Sequence, residues 1–308
     1  MPEAYTQPRE GSRSSPWRVL LADDSAGMRK SLATAIRGFD SSIEILEATT
    51  GSQALEVLVG RSPDIVFMNL QMPEITGAEA LAWASRRNIR PLTILMSNQV
   101  LSKWVEVSTE LGAYEFWRKR IDPAHVLELL KAYRLMRTPM RLLLVDESPT
   151  AHDIIGRMMA SSRFTLEVDH AQSGAHALAL MRRAHYDLAL IDATFSDGTS
   201  GLEIAYQARD ASPSAKVILM ASGKAQGAMQ AARQFGLSSF LAKPFYASDL
   251  DFALHSEFEL RRPYLLNALV APPPARGRPR QPMSFAGRAL PCKALHQDRA
   301  WTGQPRRM

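Results

Sequence analysis

The feature that most limits what this chain can fold into is an internal repeat. Two apolar runs end in a pair of acids, Val19-Leu20-Leu21-Ala22-Asp23-Asp24 and Leu142-Leu143-Leu144-Val145-Asp146-Glu147, and stand 123 residues apart. The same offset carries Thr50-Gly51 onto Ser173-Gly174 and Asp64 to Asn69 onto Asp187 to Asp192. From Thr93 onward the offset is 124, pairing Thr93-Ile94-Leu95-Met96 with Val217-Ile218-Leu219-Met220. It also pairs Gly112 with Gly236, Phe116 with Phe240 and Lys119 with Lys243. One extra residue therefore lies within Phe195 to Gly201 relative to Met72 to Gly77. A unit of about 120 residues is a domain and not a solenoid repeat.

Within the first unit, strands are expected near 17–22, 43–47, 64–69, 92–97 and 114–118, with helices near 26–38, 51–59, 77–87, 101–111 and 123–137. The strand runs are almost continuous in Val, Ile, Leu and Met, the pattern of strands covered on both faces. Alternation with helices then predicts an α/β chain: two doubly wound parallel-sheet domains in tandem. The expected boundaries are a disordered 1–16, units at 17–138 and 139–260, and a disordered Pro/Arg-rich basic tail at 261–308. Only Thr138-Pro139-Met140 joins the units, which favours a packed pair and contact-borne influence of the first unit on the second.

The net charge of +6 and pI near 9.6 mislead as averages. Residues 263–308 hold eight basic side chains against Asp298 alone, a charge of +7, which leaves −1 on residues 1–262. Basicity is a property of the tail, so it does not argue that the folded body binds nucleic acid. No apolar run reaches 18 residues and the N-terminus carries no apolar stretch, so neither a membrane span nor a secretory leader is expected. One cysteine, Cys292, allows no intrachain disulfide framework, and a cytoplasmic location is expected.

Ligands of doubly wound sheets bind beyond the carboxyl ends of the strands, where strand order reverses. Asp23-Asp24, Asn69 and Lys119 close strands of the first unit there, and Asp146-Glu147, Asp192 and Lys243 do so in the second. Three carboxylates beside one ammonium repel each other, and a hard divalent cation would relieve that repulsion.

An acid pair after strand one, Asp192 after strand three and Lys243-Pro244 after strand five, at these spacings, resemble the receiver domains of two-component response regulators. The resemblance covers both units and implies the flavodoxin-like (βα)5 fold. It implies Asp192 as phosphoacceptor and Mg²⁺ as cofactor. Glu147 and Asp192 would be metal ligands, with Asp146 acting largely through water and Thr194 through its carbonyl. Lys243 would pair with the acceptor and then with the phosphoryl group, Phe240 would hold the aromatic switch position, and Lys243-Pro244 would be a cis peptide. The implied partners are a histidine kinase or phosphotransfer protein and a downstream protein target. A homodimer is admitted, and nucleic acid is not an expected partner.

Each unit departs from the pattern. In the first, Asn69 replaces the acceptor and Arg120 follows Lys119, so a receiver-shaped domain that takes no phosphoryl group is expected although Asp23, Asp24 and Ser97 remain. An amide cannot form an acyl phosphate, and Asp23 and Asp24 read more simply as a residual acidic edge. In the second, counting back from Lys243 places Ala221 where Ser97 stands, so the hydroxyl is lost, and Ser222 should point elsewhere. Phe195-Ser196 also replaces Met72-Pro73.

Other residues read as structure. His176 and His185 are expected at the surface or an edge. Trp83 and Trp117 are expected in packing, with Trp104 on an exposed face. No G-x-G-x-x-G after a strand, no phosphate loop and no G-x-S-x-G occur, so nucleotide binding and hydrolase chemistry have no motif. The leading expectation is a response regulator without an attached effector domain and not an enzyme, phosphorylated on Asp192 and signalling by protein contact. The alternatives are a phosphorylation-independent scaffold of two pseudo-receivers and a DNA-binding regulator acting through the tail.

Overall fold

The computed structural model describes residues 16–99, 102–222 and 239–260. The first unit runs β1 (Arg18–Ala22), α1 (Ala26–Phe39), β2 (Glu44–Ala48), α2 (Gly51–Arg61), β3 (Ile65–Asn69), α3 (Gly77–Arg86), β4 (Leu92–Ser97), α4 (Ser102–Glu110), β5 (Glu115–Arg118) and α5 (Pro123–Arg137). The second runs β6 (Met140–Val145), α6 (Pro149–Ala160), β7 (Leu166–Ala171), α7 (Gly174–Arg183), β8 (Leu188–Asp192), α8 (Gly201–Ala211), β9 (Lys216–Ser222), β10 (Ser239–Lys243) and α9 (Ala247–Glu257). Each unit is a five-stranded parallel sheet, ordered β2-β1-β3-β4-β5 and β7-β6-β8-β9-β10. This is the flavodoxin-like order. The N-terminal segment before Pro16, Gly236 and the basic tail lie outside the described residues.

Local chemistry repeats with the sequence. Ser25 and Ser148 cap α1 and α6, each accepting from the main-chain N–H three residues on at 3.3 Å. Thr50 and Ser173 cap α2 and α7 the same way at 3.2 Å. Asp64 and Asp187 accept from the N–H of Arg18 and Arg141, each at 2.8 Å, tying the start of the first strand to the third. The repeated Asp before the third strand is therefore structural. Central strands β3 and β4 are buried throughout, whereas edge strands β2 and β7 are half covered.

Pleat alternation decides which side chains reach the site. On one face of the second sheet Leu142, Leu144, Leu188, Leu190 and Leu241 pack under Ile155 of α6 and Leu254 of α9. On the other, Leu143, Val145, Ala189 and Ile191 pack under Ala177 of α7 and Ile204 of α8. Asp146, Asp192 and Lys243 continue the first set by two residues each, so all three rise from one face. Gly201 opens α8 against the end of β8. A Cβ there would stand 1.8 Å from the Asp192 carbonyl oxygen, so only glycine lets the helix start so close to the strand end.

Only Thr138 and Pro139 separate α5 from β6. Across the joint, Tyr114 of the first unit bonds to His255 of α9 over 2.8 Å. The Arg163 guanidinium donates to the Gly112 carbonyl at 3.0 Å, and Phe164 meets His255 edge-on. One hydrophobic cluster runs through Tyr114, Met136, Met140, Phe164 and Leu254, so the two units share packing.

Two tryptophans trade places with expectation. Trp83 is 43% exposed with Arg86 and Arg87 against its ring, because Ala80, Leu81 and Ala84 define the buried stripe of α3 and position 83 falls off it. Trp104 is half buried against the core beneath α4. Trp117 is buried, and His176 and His185 are exposed. No helix among the described residues is long and apolar enough to cross a membrane.

Candidate functional site

In the second unit the Lys243 ammonium bridges two carboxylates, donating to Asp192 Oδ2 at 2.6 Å and to Asp146 Oδ2 at 2.7 Å. Asp146 is 1% exposed, and its other oxygen accepts from the Ser148 N–H at 2.9 Å. Asp192 stays partly open, and its Oδ1 has only the long 3.4 Å contact from the Thr194 N–H. Burial pushes the Lys243 ammonium down, but its bonds to Asp146 and Asp192 outweigh that and hold it above the ordinary lysine value. The site therefore keeps a fixed cation against two fixed anions, with one acceptor-type oxygen of Asp192 least engaged.

The third acid lies elsewhere. Glu147 Oε2 accepts from both the Ser196 N–H at 2.9 Å and the Ser196 hydroxyl at 2.7 Å. The loop that presents Ser196 is closed by an isolated bridge between Thr194 and Ser200 and turns at Gly198, with φ of 84°. Two of the three expected carboxylates thus meet the ammonium, and Glu147 is drawn to the loop that carries the extra residue.

The first unit is wired differently. Lys119 pairs with Asp23 at 3.1 Å, and Asn69 turns its amide N–H to Asp24 Oδ1 at 2.9 Å and to the Gln71 carbonyl. An amide donates where a carboxylate would accept, so Asn69 satisfies Asp24 and leaves the lysine to Asp23. Behind each first acid sits a second pair at matching positions. Arg29 donates to the Asp23 carbonyl at 2.8 Å and pairs with Glu47 at 2.7 Å. In the second unit His152 Nε2 meets the Asp146 carbonyl at 2.7 Å, and its Nδ1 meets His170 Nδ1 at 2.8 Å. A carbonyl only accepts, so His152 donates its Nε2–H there and shares one proton with His170 between the two Nδ1 atoms. Burial first, and then the neighbouring His152, hold His170 below the ordinary imidazole value. Neither histidine stood out in the sequence. The signal was present, since 152 and 170 fall 123 residues after Arg29 and Glu47.

Strand register places the missing hydroxyl. Ser97 faces Arg118, the residue before Lys119, and Ala221 faces Ala242, the residue before Lys243. Ala221 is therefore the equivalent of Ser97, and it is buried. Ser222 is exposed and stands opposite Lys243 in register, on the alternate side of the pleat from Ala221. Phe240 is half buried against the core under α7 and α8, and Lys243-Pro244 is a cis peptide.

Among the described residues no group of three or more His, Cys, Asp or Glu side chains is arranged to hold a metal ion. A smaller demand is met. Mg²⁺ keeps most of its water and takes one or two carboxylates, and Asp146 and Asp192 lie within the reach of a single ammonium. The donor chemistry fits a hydrated Mg²⁺, while Glu147 has its Oε2 engaged by Ser196.

Comparison with known proteins yields one family. The Response regulator receiver domain matches twice, over 19–131 and 142–255. The chain is 36% identical over 110 residues to protein-glutamate methylesterase/protein-glutamine glutaminase 6 of Anaeromyxobacter dehalogenans, covering 35% of this chain and 30% of that protein. It is 33% identical over 114 residues to chemotaxis protein CheY of Thermotoga maritima, covering 37% of this chain and 93% of that one. The chain thus spans less than a third of the methylesterase it matches and nearly all of the chemotaxis protein. A crystal structure of a two-component system response regulator/GGDEF domain protein superposes with a TM-score of 0.56 at 20% identity, over 79% of this chain and 98% of that one. At that identity the likeness is one of fold.

Proposed function

The chain belongs to the response regulator receiver domain family, and on that footing we propose that its second unit accepts a phosphoryl group on Asp192 while its first unit does not. The observation that carries this reading is the Lys243 ammonium held on Asp192 Oδ2 beside Asp146, with Asp192 Oδ1 left nearly free. That oxygen is the nucleophile. It forms a P–O bond as the P–N bond of a phosphohistidine breaks, and the electron pair leaves with the imidazole nitrogen, which takes a proton from solvent. Lys243 then turns from carboxylate to phosphoryl oxygen, where a preplaced cation offsets the added negative charge.

Receiver domains generally bind Mg²⁺ at their phosphorylation site. Here Asp146 and Asp192 would hold it, with the Thr194 carbonyl as a further oxygen ligand. When bound, it supplies positive charge to the phosphoryl oxygens.

A donor histidine kinase or phosphotransfer protein and a downstream protein target complete the reading, with no enzymatic action on an external substrate. The first unit acts as a phosphorylation-independent module. Asn69 satisfies Asp24 in place of an acceptor, and Tyr114 and the Gly112 carbonyl lie against α9 and Arg163 of the second unit. The basic tail, and with it any role in binding DNA, lies outside the described residues. Phosphorus NMR of the full chain with a small-molecule phosphodonor and Mg²⁺ tests the proposal. An acyl phosphate resonance is expected in the wild type and not in Asp192→Asn. The same spectrum from both would overturn it.

A further inference from the structure

We propose that Ser196 sets the Mg²⁺ requirement of the second unit by holding Glu147 away from Asp146 and Asp192. The inference rests on the proposed acceptor site but concerns a residue outside it. Ser196 spends both of its donors on a single carboxylate oxygen, Glu147 Oε2, at 2.9 Å and 2.7 Å. Both bonds have an ionised acceptor, so they are stronger than neutral ones. A cation that draws the Glu147 carboxylate toward Asp146 and Asp192 pulls Oε2 off these two donors, and what Ser196 contributes with Glu147 in the loop is subtracted from the affinity for that cation.

The first unit shows why this is particular to the second. Pro73 is the residue at the Ser196 position, before the extra residue shifts the register. Proline has neither a main-chain N–H nor a hydroxyl, so it cannot make either bond. There Asp24, the counterpart of Glu147, takes its bond from Asn69 instead. Exchange of proline for serine, a longer acid and a loop closed by the Thr194–Ser200 bridge together build the Ser196–Glu147 contact. Glu147 has one more methylene than Asp24, which lets it reach the loop.

The test uses the full chain and Mg²⁺ alone, followed by the amide resonances of residues 146, 147 and 192–197. Ser196→Ala removes the hydroxyl and keeps the N–H, and is expected to tighten Mg²⁺ binding about 3- to 10-fold. Ser196→Pro removes both donors and is expected to tighten it further, while Glu147→Gln should erase the gain in either background. In the wild type the Ser196 amide should shift as Mg²⁺ fills the site. Unchanged or weaker binding in Ser196→Ala, or a gain that survives Glu147→Gln, overturns the proposal, as does a wild type that shows no Mg²⁺ response. Should Ser196→Pro disturb the loop, Ser196→Ala decides alone. Failure of the acceptor site is told apart by the phosphodonor experiment: an Asp192 that takes no phosphoryl group leaves the Mg²⁺ titrations readable.

Discussion

Lys243 and Asp192 lie at the ends of β10 and β8, 51 residues apart in sequence, and meet through a 2.6 Å bond that Asp146 shares at 2.7 Å. Removing the ammonium leaves two neighbouring carboxylates, one of them buried, without their cation. Lys243→Ala is expected to lose about 1–3 kcal/mol of stability at neutral pH, a range kept low because the lysine is partly exposed. Mg²⁺ should restore part of the loss by taking the place of the ammonium. Urea denaturation with and without Mg²⁺ measures both effects. An unchanged midpoint would show that the bridge contributes nothing.

Ala221 occupies the position of Ser97, one residue before the lysine in strand register. Restoring a hydroxyl there adds a donor where phosphoryl oxygens would gather. Ala221→Thr is expected to raise the rate of phosphorylation by a small-molecule donor about tenfold, and Ala221→Val, of the same shape, is not. Equal rates for the two variants would show that the hydroxyl adds nothing at this position.

Asn69 binds Asp24 through its amide, and Lys119 stays on Asp23. Asn69→Asp removes that donor and supplies a carboxylate within a site that still has both acids and the lysine. A second phosphorylated site is expected in this variant, counted by intact mass against the wild type. If only one phosphoryl group is ever taken up, the first unit lacks more than its acceptor.

His255 is 1% exposed, donates from Nδ1 to the Asp251 carbonyl at 2.6 Å and receives the Tyr114 hydroxyl on Nε2. Burial holds it below the ordinary imidazole value of 6.5, the Asp251 carbonyl opposes that and Arg163 reinforces it. The unfolded chain takes up a proton as pH falls through 6.5, and the folded chain resists it. Stability from this group is complete above that pH and declines below it. His255→Gln should flatten the slope of stability between about pH 6.5 and pH 5. Tyr114→Phe, which strips the buried Nε2 of its donor, should cost about 1–3 kcal/mol at pH 7.5. An identical slope in His255→Gln would place the titration elsewhere.

Most of the fold was legible because the cause was local. Continuous Val, Ile and Leu runs marked β1, β3 and β4, and the helices expected from 26 and 51 begin at Ala26 and Gly51, all within a residue or two of their observed positions. The convergence of Asp146, Asp192 and Lys243 was legible because strand ends in this topology meet at one edge. What escaped depends on side-chain geometry that spacing does not carry. Glu147 has the same charge whether it faces a cation or Ser196, and only the loop decides. Trp83 and Trp104 both sit in helices, and which one is covered follows from the turn of each helix against the sheet. The pair of His152 and His170 was hidden because its members differ in type from Arg29 and Glu47, although the contact they make is the same.

Mapping the modified residue decides whether Asp192 is the phosphoacceptor. The full chain is exposed to a small-molecule phosphodonor with Mg²⁺ and digested, and the peptides carrying an acyl phosphate are sequenced by mass spectrometry. The expected result is modification at Asp192, absent from Asp192→Asn, with nothing at Asp23 or Asp24. A chain that takes no phosphoryl group, or one in which Asp192→Asn is modified to the same extent, contradicts it.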